Sequence, residues 1–168
     1  MKAAFILLTL CISILNSQSQ INFNKSNSET MADGKVVKTE ESWKNSLTPE
    51  QYRVLREGDT EPAYSGVYTH YSEKGTYVCG GCGYELFSSE MKFESHCGWP
   101  SFDSELGGGN RVIKKSDYSF GMNRIEILCA RCGGHLGHIF PDGPTATGNR
   151  YCVNSLSLKF IPQIATFK

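Results

Sequence analysis

Two copies of one short pattern constrain this chain more than anything else in it. Cys79-Gly80-Gly81-Cys82-Gly83 and Cys129-Ala130-Arg131-Cys132-Gly133 share the form Cys-x-x-Cys-Gly. Two thiolates at that spacing can hold one metal ion at two corners of a tetrahedron, and the trailing glycine lets the backbone turn beneath the sulfurs. Two such knuckles supply four sulfur ligands: Cys79, Cys82, Cys129 and Cys132. A closed shell of four thiolates leaves no open coordination position, so the ion it suits is a structural Zn2+, one per chain. The knuckles are separated by 46 residues, more than a compact zinc ribbon uses, and should clamp remote parts of the fold together. Two other readings stand beside this one. A redox dithiol is disfavoured by the duplication and by the lack of a flanking βαβ pattern. Structural disulfides would suit an oxidising compartment.

Around the knuckles, short apolar runs alternate with glycine turns. Strands are predicted at residues 75–78, 85–87, 112–115, 125–128, 136–140, 150–153 and 156–160. No helical stretches of 10 to 15 residues separate them, which argues against a parallel α/β sheet. The expected fold is mainly β: a small antiparallel barrel or sandwich with a short N-terminal helical region. A helical turn is predicted at 42–46. Thr48-Pro49-Glu50-Gln51 is a helix start, with Thr at the N-cap, Pro at the first helical position and Gln three residues after the cap. That helix should stop before Gly58. The domain is expected to run from 42 to 162, with a C-terminal tail at 163–168.

Residues 1–19 have the form of a secretory signal: Lys2, then an apolar core over 3–15, then Ser17-Gln18-Ser19. Export or entry to the secretory pathway is therefore expected. A start at Met31 would drop the leader and give a cytoplasmic form. Residues 20–41 are polar, rich in Asn and Ser, and read as a disordered linker. Acidic and basic residues balance at 17 each, which gives no reason to expect a nucleic-acid partner.

Of the seven cysteines, Cys11 lies in the leader and four belong to the knuckles. Cys97 and Cys152 remain. Alternation along 150–154 puts Arg150, Cys152 and Asn154 on one face and Tyr151 and Val153 on the other. A guanidinium beside a thiol favours the thiolate, the reactive form. A lone cysteine is more often a buried packing residue, and the neighbouring motifs change that balance.

Those motifs are His96-Cys97-Gly98-Trp99-Pro100-Ser101-Phe102, the run Cys132-Gly133-Gly134-His135-Leu136-Gly137-His138-Ile139-Phe140-Pro141-Asp142-Gly143-Pro144, and Arg150-Tyr151-Cys152-Val153-Asn154-Ser155. Together, in this order and beside both knuckles, they resemble the B-type methionine-R-sulfoxide reductases over about residues 47–160. The resemblance implies that Cys152 is the nucleophile and Cys97 the resolving cysteine. It implies that Trp99 packs the substrate methyl, and that His135, His138 and Asn154 are the polar lining of the site. Arg150 would be the cation beside the nucleophile, with Phe140 and Asp142 in support. The implied reaction is reduction of methionine-R-sulfoxide, chiefly in proteins and peptides. A sulfenic acid forms on Cys152 and becomes a Cys97–Cys152 disulfide, which thioredoxin or a similar dithiol reopens. A monomer is expected. Two competing readings use the same residues differently: a non-catalytic zinc-scaffold binding module, and a zinc hydrolase acting through His135 and His138.

Overall fold

Alternating apolar and polar residues between tight turns build two antiparallel sheets, seen in a computed structural model that describes residues 29–30 and 34–164. In chain order the elements are β1 (Glu29–Thr30), β2 (Val36–Val37), α1 (Glu40–Ser46), α2 (Pro49–Glu57), β3 (Gly75–Cys79), β4 (Glu85–Ser88), β5 (Lys92–Phe93) and β6 (Ser101–Phe102). They continue with β7 (Val112–Asp117), β8 (Arg124–Cys129), β9 (His135–Phe140), β10 (Arg150–Val153) and β11 (Leu158–Pro162). One sheet has six strands in the order β5-β6-β10-β9-β8-β7, and the other has three in the order β11-β3-β4. The mainly β, antiparallel expectation holds.

The sheets meet through aromatic rings. Tyr77 and Phe87 come from the three-stranded sheet, Phe102 and Tyr151 from the six-stranded one. Phe87 stacks on Phe102 with centroids 4.3 Å apart, Tyr77 meets Phe102 edge-on at 5.0 Å, and Phe87 meets Tyr151 at 5.8 Å. All four rings are buried. Such pairs add about 0.5–1.5 kcal/mol each beyond the area they bury. They lock the inner face of β10, leaving its other face to chemistry.

The helix start at Thr48 forms as its residues dictate. Thr48 accepts from the Gln51 backbone and Gln51 returns the bond, completing the capping box, and Gly58 ends α2 in the left-handed conformation. Leu55 of α2 and Trp43 of α1 are buried against the knuckles, with Leu55 packed on Gly81 and Gly134.

Several boundaries differ from expectation. α1 begins at Glu40 and is capped by Thr39. Within the expected linker, β1 pairs with β2 and residues 34–36 make tertiary contacts. The Val36 N–H donates to the Arg131 carbonyl at 2.8 Å, and the Arg131 guanidinium donates to the Gly34 carbonyl. This strap binds the second knuckle. β5 and β6 were not foreseen, since two residues are too few to show a period. β11 starts at Leu158 because Ser155–Ser157 form a 3₁₀ turn. The leader at 1–19, most of the linker and the last four residues lie outside the described chain.

Candidate active site

The site is built on β10. Tyr151 and Val153 point into the core, while Arg150 and Cys152 are half-buried on the opposite face, as alternation demands. Cys152 sits between Ser101 of β6 and His138 of β9 in register. Behind it, β9 approaches closely because residue 137 is glycine. A Cβ there would collide with the Cys152 carbonyl, and the backbone is at φ +151°.

The second sulfur arrives from the loop between β5 and β6. His96 at φ +56° and Gly98 at φ +97° fold that loop back on itself. The Tyr64 hydroxyl donates to the His96 carbonyl at 2.6 Å and the Tyr64 N–H to the Gly98 carbonyl at 2.7 Å. The result is a Cys97 Sγ to Cys152 Sγ distance of 3.5 Å. Both are free thiols. Forming a bond would need an approach of about 1.5 Å.

The two sulfurs divide one proton unequally. Cys97 is pulled down to about 4, first by the hydrogen bond from Cys152 and then, against burial, by the hydroxyls of Ser95 and Ser101. Cys152 is pushed far up by donating to Cys97 and by burial, which outweigh the lowering effect of Arg150. Arg150 does act in the expected direction, favouring the Cys152 thiolate, but the contact with Cys97 and burial act against it. The two sulfurs thus favour sharing a single proton, with Cys97 the one shifted towards the thiolate. Arg150 is committed elsewhere: its Nε and NH2 donate to the two Asp142 carboxylate oxygens at 2.8 and 2.9 Å, and its guanidinium lies 4.5 Å over the Phe140 ring.

An open cleft of about 110 Å³ has Cys152 in its wall. Trp99, His138, Phe140 and Asn154 line it, along with Thr60, Arg124 and Gly137. Trp99 is fixed by its indole N–H, which donates to the Glu61 carbonyl at 3.1 Å. His138 is held through Nε2, 2.8 Å from Asp117 Oδ2, and Asp117 also pairs with Arg124 at 2.7 Å. Hydrogen bonds from Ser119, then from His138 and Arg124, hold the Asp117 carboxyl well below its usual range.

Two residues of the expected polar lining are engaged by other partners. His135 does not line the cleft. It is buried beside His138, its Nδ1 2.7 Å from Glu126 Oε1, and burial lowers its pKa despite that carboxylate. Asn154 reaches the cleft, but its amide is already used: Nδ2 donates to the Leu136 carbonyl at 3.1 Å and Oδ1 accepts from the Glu61 N–H at 3.0 Å. Both residues shape the site.

The four knuckle sulfurs converge as the spacing implies. All lie within 4.8 Å of one another, with Cys79 and Cys132 3.7 Å apart and Cys82 and Cys129 3.6 Å apart. A tetrahedral ion with bonds of about 2.3 Å to sulfur requires S–S edges of about 3.8 Å, so the donor set fits a structural metal. Gly83 and Gly133 turn beneath the sulfurs at φ +72° and +70°. Cys79 ends β3 and Cys129 ends β8, so the cluster ties one sheet to the other.

Sequence reasoning missed Glu61, Ser95, Ser101, Asp117, Arg124 and Glu126. A faint signal existed for two of them: Arg124 and Glu126 alternate with Ile125 and Ile127, marking a polar face on β8. Nothing local singled out Glu61, in a loop, or Asp117, at a strand end.

Comparison with known proteins agrees with this geometry. A family model described as the SelR domain matches residues 47–162. The peptide methionine sulfoxide reductase MsrB of Methanosarcina barkeri is 57% identical over 130 residues, covering 77% of this chain and 91% of that protein. The MsrB of Leptospira interrogans is 58% identical over 125 residues, covering 74% and 95%, and that of Bradyrhizobium diazoefficiens is 55% identical over 131 residues, covering 78% and 94%. With two approaching thiols, one of them in a histidine- and tryptophan-walled cleft, and a family match over residues 47–162, this chain belongs to the SelR-domain family, the B-type methionine sulfoxide reductases.

Proposed function

We propose that this methionine sulfoxide reductase acts on the R epimer of methionine sulfoxide in proteins and peptides, using Cys152 as nucleophile and Cys97 as resolving thiol. The observation that carries the reading is the 3.5 Å approach of Cys97 and Cys152 at a cleft only one of them enters. The Trp99 face offers an apolar wall to the substrate methyl. His138 binds Asp117 through Nε2, so Nδ1 is the nitrogen left for a sulfoxide oxygen. With methyl, oxygen and attacking sulfur assigned to three fixed directions, only one hand at the substrate sulfur presents its chain outward.

The reaction balances as follows. Cys97 takes the proton from Cys152, and the Cys152 thiolate attacks the sulfoxide sulfur while His138 protonates the oxygen. Oxygen passes to Cys152 as a sulfenic acid and methionine leaves as the thioether. The Cys97 thiol then displaces water from the sulfenic acid, forming the Cys97–Cys152 disulfide. A thioredoxin-type dithiol reopens it by exchange, becoming a disulfide itself.

Zn2+ is the ion proposed for the four knuckle cysteines, where it would supply cohesion between the sheets and no open position for catalysis. A monomer is proposed as the working form. The leader pattern at residues 1–19 supports export, and a start at Met31 would give the cytoplasmic alternative.

The test is turnover of both sulfoxide epimers by two variants. Cys152→Ser should abolish reduction with dithiothreitol or thioredoxin. Cys97→Ser should release one equivalent of methionine per chain and then stall with thioredoxin. Undiminished turnover by Cys152→Ser, or preference for the S epimer, would overturn the reading.

A further inference from the structure

The sulfur pair is reached from two sides. The cleft with Cys152 in its wall is not lined by Cys97. A second, separate cleft is lined by Phe93, Glu94, Ser95, Cys97, Asp142, Pro144 and Arg150, and does not include Cys152. Substrate chemistry needs only the first. The second has a wall of exposed residues, with Glu94, Asp142 and Pro144 at the surface, and a sulfur as its reactive group.

Thiol–disulfide exchange is a displacement at one sulfur, and which sulfur is attacked depends on access. The incoming thiolate must approach along the S–S axis from the side opposite the leaving sulfur. Once Cys97 and Cys152 are bonded, the second cleft opens onto Cys97, and the first opens onto Cys152. We infer that the external dithiol docks on the Phe93–Glu94–Pro144 face and attacks Cys97, so that reductant and sulfoxide use opposite entrances. The inference rests on the proposed Cys97–Cys152 disulfide.

The steps balance. The reductant thiolate bonds to Cys97 Sγ, the Cys97–Cys152 bond breaks, and Cys152 leaves with the electron pair beside Arg150. A mixed disulfide now joins the reductant to Cys97. The reductant's second thiol, losing its proton, attacks the first reductant sulfur and expels Cys97 as a thiolate. The Ser95 hydroxyl, 3.0 Å from Cys97 Sγ, and the Ser101 hydroxyl, at 3.5 Å, are in place to receive that charge. The reductant ends as a disulfide and the protein as a dithiol. Cys152 is then restored without any group having entered the substrate cleft.

The test uses full-length protein, oxidised by one equivalent of methionine-R-sulfoxide, and a thioredoxin whose second active-site cysteine is replaced by serine. The mixture is acid-quenched within the first turnover and its mixed disulfide is located by peptide mass. Attachment to Cys97 is expected. Attachment predominantly to Cys152 overturns the inference and leaves the proposed reductase activity standing. Absence of the Cys97–Cys152 link before thioredoxin is added overturns both, and the mass before mixing tells the cases apart. A second measurement locates the face. Pro144→Arg, an exposed change, should slow turnover with thioredoxin at least fivefold more than turnover with dithiothreitol. Equal slowing with both reductants would remove the docking face from this cleft.

Discussion

Glu61 and Ser155 are joined by a 2.7 Å hydrogen bond across 94 residues of chain, the Glu61 carboxylate accepting from the Ser155 backbone N–H. The same carboxylate accepts from the Leu156 N–H at 2.9 Å, and Glu61 is buried. Its own backbone also holds Trp99 and Asn154. One loop residue thus ties the substrate wall to the strand end after Cys152. Glu61→Ala would strand one buried donor, at Ser155, and one half-buried donor, at Leu156, a buried one costing about 1–3 kcal/mol. A fall in Tm on the order of 10 °C is expected by calorimetry. Sulfoxide turnover should drop with it, because Trp99 loses its anchor loop. A Tm within two degrees or so of the parent would show that the loop is held elsewhere.

Cys97 should behave as an anion well below neutral pH, since its pKa lies at about 4. Iodoacetamide at pH 5–6 is expected to label Cys97 first, at a pH where an ordinary thiol of pKa about 8.5 is nearly inert. The largest cause of the shift is the hydrogen bond from Cys152, so Cys152→Ser should move the labelling profile to higher pH. Mass mapping of the alkylated site checks both statements. Preferential labelling of Cys152 under these conditions would reverse the assigned proton position.

The pH dependence of stability should carry a signature of His135. Burial lowers its folded-state pKa below the unfolded value of about 6.5. A depressed folded pKa means that the unfolded chain binds the proton more readily. The stability from neutral His135 is therefore present above about pH 6.5 and is lost as pH falls through the folded pKa. Urea unfolding of the parent and of His135→Gln at pH 7.5 and pH 5 measures this. The stability gap between them should narrow at the lower pH, and a gap that widens would contradict the sign.

Removing one knuckle sulfur should open the four-thiolate shell. Cys132→Ser is expected to lose bound zinc and to unfold at lower temperature, because metal binding to such a set is folding free energy. The strap at Val36 and the packed Leu55 should loosen with it, since both rest on the knuckles. Zinc content per chain and hydrogen exchange at residues 34–58 are the readouts. Full zinc retention in the variant would show that the ion is held by a different set.

Much of the site was legible because its residues are local and periodic. The two Cys-x-x-Cys-Gly knuckles announce themselves by spacing. The alternation through Arg150, Tyr151, Cys152, Val153 and Asn154 sorts core from chemistry without any coordinates. The capping box at Thr48 and Gln51 needs only four consecutive residues. β5 and β6 escaped because a two-residue strand has no period, and it forms only when β10 offers an edge to pair with.

The sequence by itself marked the residues proposed for the chemistry: two cysteines outside the knuckles, two histidines, a tryptophan and four metal-ready thiols. Only the tertiary structure decided how they divide the work. It gave His138 to the cleft and His135 to the interior, tied Arg150 to Asp142, and enlisted the distant carboxylates of Asp117, Glu126 and Glu61. It also brought the two sulfurs close enough to shift each other's proton affinity in opposite directions. The reason is that charge and hydrogen bonding act over a few ångströms of space. Residues 55 apart in the chain, such as Cys97 and Cys152, enter that range only once β6 has paired with β10.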